Sequence, residues 1–248
     1  MKVLTIKLIS ILFTLLLFTL FCNSYILSED KTPILNNPKS GDLIWKYKTD
    51  GIVANSPAVV GSRIYVVSID GLNNYIYCLS ADSGDIIWSY NIGSYLFSSP
   101  GSNVFLSPLV LGGSVYVTSY NGCIYCLSVD SGDLIWRYKT GNGVDSSPTV
   151  YEGRVYVGSR DKYIYCLSAD SGDLIWKYNT GNEWFYTTVV GDRIYIGSYD
   201  GYIYCHSADS GELIWRYETK GRGNSPIVVS GRVYVGSNWD GYIYCFSE

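Results

Sequence analysis

Cysteine is the residue in this chain best suited to chemistry, and its spacing is regular. Five of the seven cysteines close an Ile-Tyr-Cys segment, at Cys78, Cys126, Cys166, Cys205 and Cys245. A disulfide needs Cα atoms about 4.4–6.8 Å apart. Equivalent cysteines one repeat apart are expected to lie further away, so the column reads as small, buried, thiol-bearing hydrophobes. Cys123 and Cys126 spell C-x-x-C, but residues three apart on an extended strand point to opposite faces. No second such pair completes a zinc site. The single histidine, His206, follows Cys205 and is expected to pack rather than catalyse. No set of titratable groups assembles into a general acid–base site, so neither metal nor cofactor is expected.

The elements that would position these residues are read from the same repeat. Gly-acid-apolar-Ile-Trp recurs at Gly41–Trp45, Gly84–Trp88, Gly132–Trp136, Gly172–Trp176 and Gly211–Trp215, each with Tyr two residues on. Between these lie the Ile-Tyr-Cys runs, preceded by strand-like runs ending at Ser68, Ser119, Ser159, Ser198 and Ser237. Before those come short apolar segments such as Pro57–Val60, Pro148–Tyr151 and Pro226–Val229. Four β-branched and aromatic runs per unit, punctuated by Gly, Asp, Asn and Ser, predict four antiparallel strands joined by tight turns. Pairs such as Asn121-Gly122, Asp200-Gly201 and Asp240-Gly241 suit the positive φ of hairpin turns. A period of this length repeated around an axis predicts an all-β, five-bladed β-propeller of four-stranded antiparallel blades. With the strands named A to D from the axis outward, the chain ends after a C-type strand, whereas Asp42–Tyr47 is a D-type strand with no A, B or C before it. The N-terminal strand is therefore expected to complete the last blade and close the ring, removing two raw edges.

Cys78 to Trp88, Cys-Leu-Ser-Ala-Asp-Ser-Gly-Asp-Ile-Ile-Trp, resembles the tryptophan-docking motif of the quinoprotein (PQQ-type) propeller repeat family, and the resemblance runs from about Gly41 to Glu248. It implies that each Trp packs between neighbouring blades over a turn glycine. The chain also distantly resembles the BamB-like assembly factors of the outer membrane, which have eight blades and a lipoprotein cysteine. Enzymatic members of the wider family are quinone-dependent dehydrogenases with a Cys-Cys pair, which this chain does not contain.

Function is expected where the repeats disagree. Most A strands begin Ser-Pro, but the fourth unit has Trp184-Phe185-Tyr186-Thr187. The second unit carries an insert over Asn91 to Val104 that includes Tyr95 and Phe97, and the last B–C turn holds Trp239. These breaks fall in D–A connections and B–C turns, which leave a propeller on one face, and variation on one rim of a rigid scaffold marks a binding surface. Exposed aromatics with nearby Arg supply most binding energy at interfaces. The candidate set is Tyr95, Phe97, Asp145, Trp184, Phe185, Arg222 and Trp239, with Arg160, Lys162 and Asp240 adding polar contacts. The expected role is a non-catalytic scaffold for a protein partner in the cell envelope; the alternative is a glycan or small-ligand module. Arg63, Arg154, Arg193 and Arg232, at the starts of B strands, are expected to flank a solvated turn.

The ends and the charge complete the reading. Lys2 and Lys7 flank an apolar run from Leu8 to Phe21, a secretory signal or N-terminal anchor over 1–24. Residues 25–40 read as a polar linker and 41–248 as the propeller, so export to the periplasm or cell surface is expected, with membrane contact only through the N-terminal segment. A net charge of −4 with interspersed signs lacks the basic footprint of a nucleic-acid binder.

Overall fold

Strands of two to eight residues, mostly β-branched and aromatic, form the sheets of a computed structural model that describes residues 39–53, 55–70, 73–93, 107–144, 146–181 and 185–248, without the side chain of Phe185. No helix occurs among the described residues. The leader over 1–24 and the linker up to residue 38 lie outside them.

Residues 48–248 form one compact unit of five antiparallel sheets. The first contains β1 (Ile52–Val53), β2 (Ala58–Val60), β3 (Arg63–Ile69), β4 (Asn74–Ser80) and β5 (Ile86–Gly93). The second runs β6 (Leu109–Leu111), β7 (Ser114–Thr118), β8 (Cys123–Ser128) and β9 (Leu134–Lys139). The third runs β10 (Thr149–Tyr151), β11 (Arg154–Gly158), β12 (Tyr163–Ser168) and β13 (Leu174–Asn179). The fourth runs β14 (Phe185–Val190), β15 (Arg193–Ser198), β16 (Tyr202–Ser207) and β17 (Leu213–Glu218). The last holds β18 (Arg222–Gly223), β19 (Ile227–Val229), β20 (Arg232–Asn238) and β21 (Ile243–Ser247).

Inner strands break where proline stands. In the first sheet β1 and β2 both pair with β3 (Val53↔Ser68, then Ala58↔Tyr65), so they are two halves of one interrupted A strand. The last sheet repeats this with β18 and β19 against β20, and the third with an isolated Val144↔Ser159 bridge ahead of β10. Proline cannot donate to the ladder, and in the third sheet a serine fills the gap. The Ser146 hydroxyl accepts from Gly158 N at 2.7 Å and donates to Gly158 O at 3.3 Å. The fourth unit has Thr187 where the third has Pro148, and β14 pairs without interruption from Phe185↔Ser198 to Val190↔Arg193.

The cores lie between sheets. Alternate residues of each B and C strand face opposite neighbours. Thus Tyr65, Ile76 and Cys78 of the first sheet meet Val115, Val117, Tyr125 and Leu127 of the second. The same columns recur between the second and third, third and fourth, and fourth and last sheets. Cys123 faces the first of these cores and Cys126 the second, as an extended strand requires. All six described cysteines are free thiols.

Tryptophan locks each pair. Trp88, Trp136 and Trp176 lie over Gly132, Gly172 and Gly211 of the following sheet, where a Cβ would stand 2.6 Å from the indole ring. Their Nε1 groups donate to the carbonyls of Val129, Ala169 and Ala208 at 3.1, 2.8 and 3.0 Å. Two of the four arginines expected beside a solvated turn also act here, through exposed turn acids of a neighbouring sheet. Arg63 bonds the Val129 carbonyl and Asp130 of the second sheet, and Arg154 bonds Asp209 of the fourth. The long side chain bridges sheets because its strand start lies beside the neighbour's C–D turn.

The N-terminal D-type strand is not seen. Residues 42–49 carry no strand, and β21 has β20 as its only strand partner among the described residues.

Candidate binding surface

Registers place the starts of A strands beside the ends of B strands (Phe185↔Ser198, Val144↔Ser159, Arg222↔Asn238), so the D–A connections and B–C turns of a sheet share one end. The turns at that end are built from one device. Asp161, Asp200 and Asp240 each accept the N–H of the Tyr two residues on, at 3.1, 2.9 and 3.1 Å. Their second oxygens accept the phenols of Tyr165, Tyr204 and Tyr244 at 2.5, 2.6 and 2.9 Å. Asn121 caps the second turn by accepting from Cys123 N at 2.9 Å. Burial, helped by the neighbouring carboxylates, pushes the Tyr165 and Tyr204 phenols well above their usual range. Burial acts to raise the Asp240 carboxyl, but it lies below the ordinary value, held down by donors such as Tyr242 N and Tyr244 Oη. The acids of these turns therefore serve the scaffold.

The aromatics and cations of the same end make a different set of contacts. Trp239 occupies the last turn, which is one residue longer than its counterparts at Asp200 and Asp161. It sits at φ +84°, a left-handed conformation rare for a bulky residue, and is 77% exposed. Strain of this kind clusters at functional sites. Arg222, half-buried at the start of β18, has its guanidinium carbon 3.9 Å from the Trp239 ring centroid and 4.7 Å from that of Tyr199. Beyond Tyr199 lies Tyr186 of β14, the ring centroids 6.2 Å apart and the hydroxyls 3.5 Å apart. In the preceding sheets Arg160 stacks over Tyr120 at 5.1 Å.

Of the residues singled out from the sequence, Arg222 and Trp239 are brought together. Phe185 opens β14 at the same end, opposite Ser198. Tyr95, Phe97, Asp145 and Trp184 lie outside the described residues. Tyr186 and Tyr199 were not anticipated as members. Tyr199 carried a usable signal: it follows the last serine of its B strand, where other units hold Tyr120, Arg160 and Asn238, a column as variable as the loops around it. Lys162 takes the place of glycine in its turn and adopts φ +76°. Among the described residues no three His, Cys, Asp or Glu side chains are grouped to hold a metal ion.

The family model described as outer membrane protein assembly factor BamB matches residues 23–105, 72–184 and 160–246, one overlapping stretch after another. A sequence search of curated proteins finds no match. Among solved structures, the chain is similar to the computationally designed Ika8 protein at 13% identity and a TM-score of 0.65, over 77% of this chain and 57% of that one. It is similar to a europium-containing methanol dehydrogenase at 15% identity and 0.59, over 83% and 53%. BamB from Moraxella catarrhalis gives 19% identity and 0.46, over 77% and 71%. The chain thus spans little more than half the length of Ika8 and of the dehydrogenase, and likenesses at these identities speak to the fold alone. With a model matched along nearly its whole length and sheets built from one Trp-docking repeat, the chain belongs to the PQQ-like repeat β-propellers of the BamB assembly-factor family.

Proposed function

We propose that this protein is an exported, non-catalytic scaffold that binds a protein partner of the cell envelope through the end of the sheets bearing Trp239. The observation that carries this is the row Tyr186–Tyr199–Arg222–Trp239, exposed at its two ends and half-buried between, set where the repeats diverge on a frame that is otherwise uniform. Aromatic and Arg anchors are the residue types that dominate interface energy. By their place in the sequence Tyr95, Phe97, Asp145 and Trp184 fall in the same loop classes and, with Phe185 at the start of β14, are proposed as further members. The family description supports an envelope location; the reading keeps residues 1–24 as leader or anchor and 25–40 as linker, and takes no nucleic acid as partner on the charge pattern. A glycan is the second reading, supported by the open indole of Trp239. The non-enzymatic reading rests on the missing Cys-Cys pair and on the engagement of the turn acids with their own tyrosines.

In the same reading the fold is five blades, with Gly41–Tyr47 as the D strand of the last. Its sequence, Gly-Asp-Leu-Ile-Trp-Lys-Tyr, is identical to Gly172–Tyr178, which leads into and forms most of β13, and among the described residues the last sheet has A, B and C strands only.

A photo-crosslinking residue at position 186, compared with one at Ser131 in a C–D turn, tests the surface in living cells. A discrete protein adduct is expected at 186, lost on Trp239→Ala in a variant whose circular dichroism is unchanged, and absent at 131. Equal adducts from both ends, or an adduct indifferent to Trp239→Ala, overturns the assignment.

A further inference from the structure

The row of rings contains one cation whose chemistry is unanswered. The Arg222 guanidinium carbon lies 4.7 Å from the Tyr199 ring centroid and 3.9 Å from that of Trp239, and among the described residues no acceptor meets its side chain. Contact with two rings restrains a guanidinium and leaves its N–H donors for a partner, and a planar donor fork is the group that takes a carboxylate bidentately. The acids beside it in sequence spend their oxygens on donors of their own turns and, among the described residues, make no ion pair with Arg222. Asp240, the residue after Trp239, accepts from Tyr242 N and Tyr244 Oη, and Asp200, the residue after Tyr199, accepts from Tyr202 N and Tyr204 Oη. Lys220, two residues before Arg222, adds a second positive charge to the connection between β17 and β18. The end of the last two sheets is therefore a pre-oriented cation beside an open indole.

We infer that the Tyr199–Arg222–Trp239 stack recognises an acidic side chain, Glu or Asp, of an extended partner segment, with an apolar neighbour of that residue packing on the free face of Trp239. Charge complementarity selects the carboxylate, and the exposure of Trp239 selects the apolar neighbour. The inference rests on the protein-binding reading above and names what that surface selects.

The test is an NMR titration of the full chain carrying 15N-labelled indoles, with the Trp239 resonance assigned by Trp239→Phe. The probes are the capped peptides acetyl-Gly-Leu-Glu-Leu-Gly-amide and its Gln counterpart, together with galacturonate. The Glu peptide is expected to move the Trp239 resonance at a concentration at least about tenfold below that needed for the Gln peptide. Arg222→Gln should abolish that preference. Arg222→Lys, which keeps the charge and loses the planar fork, should weaken the Glu peptide several-fold. Equal responses to both peptides, no response to either, or a preference that survives Arg222→Gln overturns the inference. So does galacturonate acting at lower concentration than the Glu peptide, because the carboxylate read is then a sugar's. Equal responses would leave the protein-binding reading standing, since the crosslink at position 186 reports contact and not charge.

Discussion

His206 shows how a single side chain can depart from its repeat without serving chemistry. It pairs with Leu213 as Leu167 pairs with Leu174 and Leu127 with Leu134, so it occupies a leucine position. It is 1% exposed, with its ring centroid 4.2 Å from that of Tyr178. Nδ1 meets the Gly211 carbonyl at 3.1 Å, which makes Nδ1 the protonated nitrogen, and the buried Nε2 has no partner. Burial pushes the imidazole below its ordinary value, opposed in part by the Gly211 carbonyl. A depressed folded value means that the unfolded chain takes up a proton first as pH falls. Stability is then full above the unfolded value of 6.5 and is lost progressively below it. His206→Leu should remove that part of the acid sensitivity, seen as a flatter plot of Tm against pH between about 7 and 5. An unchanged slope would mean that His206 is not protonated on unfolding in this range. The thiols follow the same physics. Burial pushes Cys166 up to about 12 and Cys205 to about 11, which keeps both as inert packing groups.

Between elements, the Trp-on-Gly contact carries the argument. Gly172 and Gly153 have nearly the same backbone, φ +75° and +70°, but differ in what a methyl would meet: the Trp136 ring at 2.6 Å in one case, open space in the other. Gly153→Ala should therefore cost only the left-handed backbone penalty, about 1–2 kcal/mol. Gly172→Ala should cost a further ~1–3 kcal/mol because the indole must move. Chemical denaturation of the two variants reads the difference, and equal losses would show that the docking contact contributes nothing. The repeat made this contact legible in advance, because Gly and Trp recur together at constant spacing. The interruption of the A strands was less legible. Ser-Pro announces a break, but the ladder repair by Ser146 depends on the two strands being in register at Gly158.

For the whole molecule, the open question is what covers the outer face of the last sheet. Tyr234, Ile243 and Cys245 stand where Tyr195, Ile203 and Cys205 are fully buried one sheet earlier, yet Ile243 is 80% exposed. If Gly41–Tyr47 completes that sheet, the pairing of Tyr165 with Lys177 and Tyr204 with Arg216 sets Lys46 opposite Tyr244. A Lys46→Cys/Tyr244→Cys variant is then expected to form an intramolecular disulfide on mild oxidation, seen as faster migration of the unreduced chain. Persistently free thiols, or only intermolecular dimers, would exclude closure by the chain's own N-terminal strand. What the sequence by itself determined is what repeats: the pattern of strands in each unit, turn glycines, docking tryptophans, and a column of buried cysteines facing the next sheet. These follow from local periodicity and from the side-chain demands of one pleated strand. Only the tertiary structure decided which of the variable residues meet. The Arg222–Trp239 contact depends on the register of β18 against β20 and on an extra turn residue taking φ +84°. Tyr199 joins it from another sheet. Such encounters are set by packing between elements distant in sequence, on which local pattern places no constraint.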